Sequence, residues 1–319
     1  MEQRRLGHSG LSVSRLGLGT LTWGTDTDEA EAAAQLAAFV EAGGTLVDTA
    51  GVYADGAGER LLGRLLGAVV GRDDVVIAAK SGITKGGRYD ASRRSLLGAL
   101  DASLSRLGVD HVDLWQVHAF DPETPLEETL SALDEAAASG RCRYVGVADY
   151  AGWQLAKAAA WQRAWPGRAP LVAAQAEYSL LCRDVEREVV PAALDAGVGL
   201  LPWSPLGRGV LTGKYRTGIP ADSRAATPHL AEFVRPYLGD RSRQIVESVA
   251  TAGDGLGVSP LAVALSWVRD RPGVVAPIVG ARTAAQLSGV LQADDVTLPQ
   301  EIRDALDDVS DSWLQTGSA

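Results

Sequence analysis

The sequence predicts an α/β chain closed into a (β/α)8 TIM barrel, with an N-terminal β-hairpin and a long loop after the seventh barrel strand. Three observations predict it. Short apolar runs alternate with amphipathic helical patterns through eight units along the 319 residues, the rhythm of parallel strands joined by helices. No G-x-G-x-x-G opens a helix after the first strand, since Gly17-Leu18-Gly19 lacks a third glycine at the required spacing, so the competing open doubly wound sheet loses its fingerprint. Finally, Asp48, Lys80 and His118 each close a strand-like run and Tyr53 follows the first of them, which gathers polar side chains on one rim of a parallel barrel.

The elements follow in order. QRRLGHSGLSVSRL offers two short β-like runs around Gly7 to Gly10, a hairpin, before a first barrel strand near residues 15 to 18. Asp28, with Glu31 three residues on, caps a helix whose Leu36, Phe39 and Val40 form an apolar stripe ending at Gly43-Gly44. TLVD (45 to 48) is the next strand. A helix near 58 to 67, a strand at 75 to 79 and a helix at 92 to 107 come next, the last with Leu96, Leu100, Leu104 and Leu107 on one side. The pattern continues with strand 113 to 117, helix 124 to 139, strand 143 to 147, helix 151 to 164, strand 171 to 175, helix 183 to 196 and strand 198 to 202. It ends with helices near 241 to 253 and 259 to 270, strand 274 to 278 and helix 283 to 291.

Between Trp203 and Asp240 the rhythm breaks into a long segment rich in Gly and Pro, of a length that usually carries function. Its first half, PWSPLGRGVLTGKYR, has the small residues and the cations (Arg208, Lys214, Arg216) to wrap a phosphate; its second, TGIPADSRAATPHL, reads as a mobile flap. No linker divides residues 1 to 319, which read as one domain, and WLQTGSA reads as a frayed terminus.

Composition narrows the function. A net charge of −10 disfavours nucleic acid and anionic membrane as partners, so any anionic ligand must meet local positive charge. Two cysteines, Cys142 and Cys182, support neither a disulfide framework nor a zinc knuckle and point to a reducing compartment. MEQRRLGHSG lacks the apolar core of a signal peptide, and no run reaches the roughly 18 apolar residues of a membrane helix, so a cytoplasmic location is expected. No metal site is expected: His111, Asp113 and His118 lack ligand spacing.

The four rim residues suit proton transfer. Tyr53 holds its proton at neutral pH, Lys80 beside it favours the phenolate, Asp48 keeps the ammonium charged, and His118 can donate to a substrate oxygen. Each also has a plainer role open to it: a turn cap, a rim aromatic, a solvated strand end, a core histidine. Trp23, Tyr53, Trp115 and Trp203 could line an apolar pocket mouth.

At this point the chain resembles the aldo-keto reductase family over essentially its whole length. The resemblance rests on VDTAGVY (47 to 53), AAKSG (78 to 82), DLWQVH (113 to 118), AQAEYSLL (174 to 181), PWSPLGRGVLTGKY (202 to 215) and PIVGARTAAQL (277 to 287). It implies a (β/α)8 barrel and reduction of a small-molecule aldehyde or ketone by NAD(P)H. Tyr53 would be the proton donor, Lys80 and Asp48 its tuning pair and His118 the orienter, with Trp23 beside Tyr53 and His118 in the substrate pocket. Gly19 and Thr20 would contact the cofactor, Gln175 and Asp149 would lie at the nicotinamide carboxamide and Trp203 would stack on its ring. Ser204, Leu206, Gly207, Gly209 and Lys214 would cradle phosphate, while Gly280, Arg282 and Gln286 hold the adenosine end. Arg282, able to pair with a 2′-phosphate, points to NADPH over NADH.

Two departures stand out. Where relatives carry a Ser-Asn pair after the fifth strand, this chain has Ala148 and Asp149, and an ionised aspartate accepts hydrogen bonds but cannot donate. Where many relatives carry Glu-Asn for the adenine, it has Gly289 and Val290. A regulatory, cofactor-binding subunit of the same fold is the alternative function. A barrel aldolase with Lys80 as Schiff base would need a low-pKa lysine, which Asp48 opposes. Substrate identity and oligomeric state are left open by the sequence.

Overall fold

The computed structural model describes residues 1 to 311; the segment WLQTGSA lies outside them. Eight parallel strands close on themselves: β3 (Gly17–Gly19), β4 (Leu46–Asp48), β5 (Val76–Ser81), β6 (Val112–Val117), β7 (Cys142–Ala148), β8 (Leu171–Glu177), β9 (Gly199–Trp203) and β10 (Ile278–Val279), with β10 pairing both β9 and β3. A hairpin of β1 (Gln3–Arg5) and β2 (Ser12–Ser14) precedes them.

Helices α1 (Glu29–Glu41), α2 (Ala57–Leu65), α3 (Arg93–Leu107), α4 (Leu126–Ala138), α5 (Gly152–Arg163) and α6 (Val189–Asp195) follow successive strands. After β9 come α7 (Pro228–Val234), α8 (Asp240–Leu256) and α9 (Pro260–Arg269), and after β10 come α10 (Ala284–Gln292) and α11 (Gln300–Ser310). Local chemistry sets their starts. Side chains of Asp28, Ser92, Ser259 and Thr283 each accept the N–H three residues on.

The two-residue alternation of each strand sorts side chains into an inner and an outer core. Leu46, Ala78, Leu114, Ala173, Leu201 and Ala276 pack inside the barrel with Leu6 and Val13 of the hairpin, which plug its floor. Val47, Ile77, Ala79, Trp115, Val145 and Val147 face the helices. One pleat above Leu46 and Ala78 the inward positions become Asp48 and Lys80, which is how a strand pattern delivers a charged pair to the barrel's upper mouth.

Four boundaries depart from the sequence expectation. The eighth barrel strand, expected at 274 to 278, is Ile278–Val279, because Pro277 has no N–H for the ladder; Val274 keeps only a bridge to Leu200. The helix expected at 183 to 196 is cut to α6, which puts Pro191 in its first turn, where the missing N–H costs nothing. The supposed flap contains a 3-10 turn (Arg224–Ala226) and runs into the first residues of α7, with Ser223 buried. α11, absent from the sequence reading, buries too thin a stripe to announce itself and is held by Asp307, which accepts from the Trp267 indole at 2.8 Å and from Arg271. Among the described residues no single helix is long and apolar enough to cross a membrane.

A tight inner core tolerates little. A Cβ on Gly146 of β7 would stand 2.7 Å from the Ala173 carbonyl oxygen and 3.2 Å from Gln116 Cγ. Gly146→Ala is therefore expected to destabilise the fold by about 2 kcal/mol, read as a lower urea midpoint at unchanged slope.

Candidate active site

The barrel mouth carries a connected chain of polar side chains. Asp48 ends β4 and Lys80 lies one residue before the end of β5; both are buried, and Lys80 Nζ donates to Asp48 Oδ2 at 2.5 Å. Gln175 of β8 reaches across the mouth and its Nε2 donates to Asp48 Oδ1 at 2.9 Å, so both carboxylate oxygens are engaged. Burial opposes the charge on Lys80, but Asp48 and then Tyr53 more than offset it, and its pKa is raised. That works against the aldolase alternative, which requires a neutral amine.

Tyr53 opens a tight turn, Tyr53–Gly56, in which Ala54 and Asp55 adopt left-handed backbone (φ 49° and 53°). Arg106 of α3 supports this turn from beneath. Its Nε donates at 2.5 Å to Glu59 Oε2, on a fully buried side chain, and its guanidinium fills the space that Gly51 and Gly56 leave by having no Cβ. The turn hangs the Tyr53 ring 5.3 Å from Lys80 Nζ and edge-on to His118, with ring centroids 6.0 Å apart. Burial raises the phenol pKa, Lys80 pulls it down and Asp48 pushes it up again; the net shift is upward. Desolvation outweighs the pull of Lys80, and Tyr53 keeps its proton, as its ordinary pKa also implies.

His118 follows β6 and is neutral: burial, then the Lys80 charge, pushes its pKa down to about 3. Its Nδ1 is buried with no hydrogen-bond partner among the described residues. Asp113, near the start of β6, pairs with Arg72 at 2.7 Å.

From this chain a cleft of about 560 Å³ runs to the ends of β9 and β10. Tyr53, His118, Asp149, Gln175 and Trp203 line one end, and Ser204, Leu206, Gly209, Lys214, Gly280, Arg282 and Gln286 line the rest together with Gly19. Several expectations fail for physical reasons. Trp23 is not at the pocket mouth: it is fully buried in the outer core, with its indole N–H on Gln35. Trp115 is one residue out of phase with the inward positions and faces the helices, donating to Ser81. Thr20 is buried, and its hydroxyl donates to the Asp48 carbonyl rather than lining the cleft. Gly207 also lies off the cleft wall, and the N–H groups of Gly207 and Gly209 are spent on the Ser204 and Leu206 carbonyls, so neither amide is left for a phosphate.

The cations sort themselves similarly. Arg208 is bound to Glu177 by two hydrogen bonds of 2.9 and 2.7 Å and lies 4.0 Å from the Phe233 ring and 4.9 Å from the Tyr237 ring, clipping the insertion to the end of β8. Arg216 pairs with Glu247 on the surface. Lys214 does face the cleft, beside Arg282 and a residue the sequence gave no reason to choose, Arg224. Desolvation lowers the pKa of Lys214 and of Arg224, and mutual repulsion adds to it, Arg282 acting on both. None of the three forms an ion pair among the described residues.

At the catalytic end Asp149 (φ 51°) accepts the Trp203 indole N–H at 2.9 Å and gives its own backbone N–H to the Gln175 carbonyl at 2.9 Å. Partial desolvation raises the Asp149 carboxyl above its ordinary range, the Trp203 N–H pulls it back, and Glu177 adds to the rise. At the far end Val290 contributes an apolar wall.

The profile of the Aldo/keto reductase family matches residues 15–311. The chain belongs to the aldo/keto reductase family. It is 36% identical to an uncharacterised oxidoreductase of Bacillus subtilis, over 97% of this chain and 96% of that one. It is also 36% identical to a probable voltage-gated potassium channel β-subunit of Oryza sativa (98% and 97% covered) and 31% identical to a versiconal hemiacetal acetate reductase of Aspergillus parasiticus (95% of each). The family resemblance in the sequence thus extends to named oxidoreductases of near-equal length.

The low pKa of His118 has a measurable sign. The unfolded chain takes up the imidazole proton near pH 6.5 while the folded chain refuses it until about 3, so stability falls as pH drops through that window. The His118 imidazole resonances, assigned with His118→Asn, are expected to stay in the neutral position from pH 9 down to about 4.

Proposed function

We propose that the protein reduces an aldehyde or ketone to an alcohol with NADPH. One observation carries the proposal: Gln175, Asp48, Lys80 and Tyr53 form a continuous chain beside a neutral His118, at one end of a cleft whose other end holds three unpaired cations. That charge distribution fits a dinucleotide with an extra phosphate, the phosphate at Lys214, Arg224 and Arg282 and the nicotinamide at Tyr53. When bound, NADPH supplies the hydride. A neutral His118 holds the carbonyl oxygen through a ring N–H, in a site too dry for imidazolium. Tyr53 gives its proton to that oxygen as negative charge gathers there, and Lys80 stabilises the phenolate left behind. Asp48 keeps Lys80 charged, and Gln175 keeps Asp48 aimed.

A relative named as a probable channel β-subunit motivates a second reading, a regulatory subunit of the same fold that binds the cofactor with little turnover; the chain of proton-transfer groups favours catalysis. Repeated turnover of NADPH per protein molecule with a panel of aldehydes and ketones separates the two.

Tyr53→Phe is expected to lower kcat by roughly 10²- to 10⁴-fold with cofactor affinity unchanged; near-normal turnover would remove Tyr53 from the acid role. Arg224→Ala and Arg282→Ala are each expected to raise KM for NADPH by roughly tenfold or more, with little effect on KM for NADH. Equal effects on the two cofactors would overturn the phosphate assignment.

A further inference from the structure

Three carboxylates stand at the upper mouth of the barrel, and two are paired with cations. Asp48 meets Lys80, and Glu177 meets Arg208. Asp149 differs: the partner of its side chain is the neutral indole N–H of Trp203, and it makes no ion pair among the described residues. It lines the cleft with Tyr53, His118 and Gln175, exposed to the space a ligand would fill.

Its position is enforced by the backbone. Ala148 pairs with Gln175 between β7 and β8, and the next N–H, that of Asp149, donates to the Gln175 carbonyl while the chain turns left-handed at φ 51°. Asp is among the few side chains that accept this conformation without large strain. Its carboxylate is therefore held at the mouth by the ladder on one side and by Trp203 on the other.

Resting on the dinucleotide reading above, we propose that Asp149 discriminates between the redox states of the cofactor, binding the oxidised form more tightly than the reduced form. With phosphate on the three cations, the nicotinamide must lie at the Tyr53 end, next to a carboxylate whose side-chain partner is the Trp203 indole and which feels the charge of the already paired Lys80. Oxidised and reduced cofactor share every phosphate, ribose and adenine contact and differ in the positive charge on the nicotinamide. A fixed carboxylate acts on that difference alone, so it changes the ratio of the two affinities, and by linkage it makes bound NADPH the stronger hydride donor. A charge contact in an open, partly screened cleft is on the order of tenfold in that ratio.

Asp149→Asn isolates the effect: it keeps the shape, tolerates the left-handed backbone and still accepts the indole N–H, removing only the charge. The dissociation constants of NADP⁺ and NADPH are measured by calorimetric titration in mildly alkaline buffer, without substrate. The wild-type protein is expected to prefer NADP⁺, and Asp149→Asn to reduce that preference about tenfold, mainly by weakening NADP⁺. Should Asp149→Asn fold poorly, Asp149→Gly, suited to the same backbone, gives the same comparison. Binding of both cofactors with a ratio unaffected by loss of the carboxylate overturns the proposal. Failure of both to bind wild-type protein overturns the dinucleotide reading instead.

Discussion

The Lys80–Asp48 ion pair is the constraint around which the mouth of this barrel is built. Two charges with almost no solvent exposure are costly to bury, and their attraction offsets the cost only where remaining hydrogen-bonding capacity is also satisfied. Here Gln175 takes the second carboxylate oxygen and Tyr53 lies against the ammonium. The pair ties β4 to β5, and Gln175 brings in β8 from across the barrel. A slip of one residue in any of these strands would turn its charged or amide group into the outer apolar core, so the pair also fixes register.

The same pair sets the protonation of its neighbours. Lys80 stays charged because Asp48 is there, and that charge helps hold His118 neutral. Tyr53 keeps its proton because burial outweighs the lysine. The result is a site with its proton on the phenol and a neutral imidazole beside it. Away from it the cleft turns cationic, where Lys214, Arg224 and Arg282 repel one another. The insertion supplying two of those cations is clipped to β8 by Arg208 and Glu177.

Much of this was legible in the sequence. Strands and helices announce themselves by period, and Asp48, Lys80 and His118 by their place at strand ends. The errors share a cause: phase, partners and long-range contacts are invisible to a local pattern. Trp23 and Trp115 looked like pocket aromatics, yet one is core and the other is one residue out of phase with the interior. Arg208 looked free and is committed to Glu177, whereas Arg224 sat in a stretch that read as a flap. Arg106, which supports the Tyr53 turn from α3, gave no signal beyond its place on a helix.

The sequence by itself determined the barrel, the order of its units and the identities of the groups available for proton transfer, because these depend on periodicity and residue chemistry. Tertiary structure decided which of those groups are dry, which are paired and which face one another, because burial and charge compensation arise only when distant segments meet. The contrast is plainest at the mouth, where Asp48, Glu177 and Asp149 are three similar carboxylates on the page. Only the closed barrel gives the first a lysine, the second an arginine and the third an indole N–H, with no ion pair among the described residues.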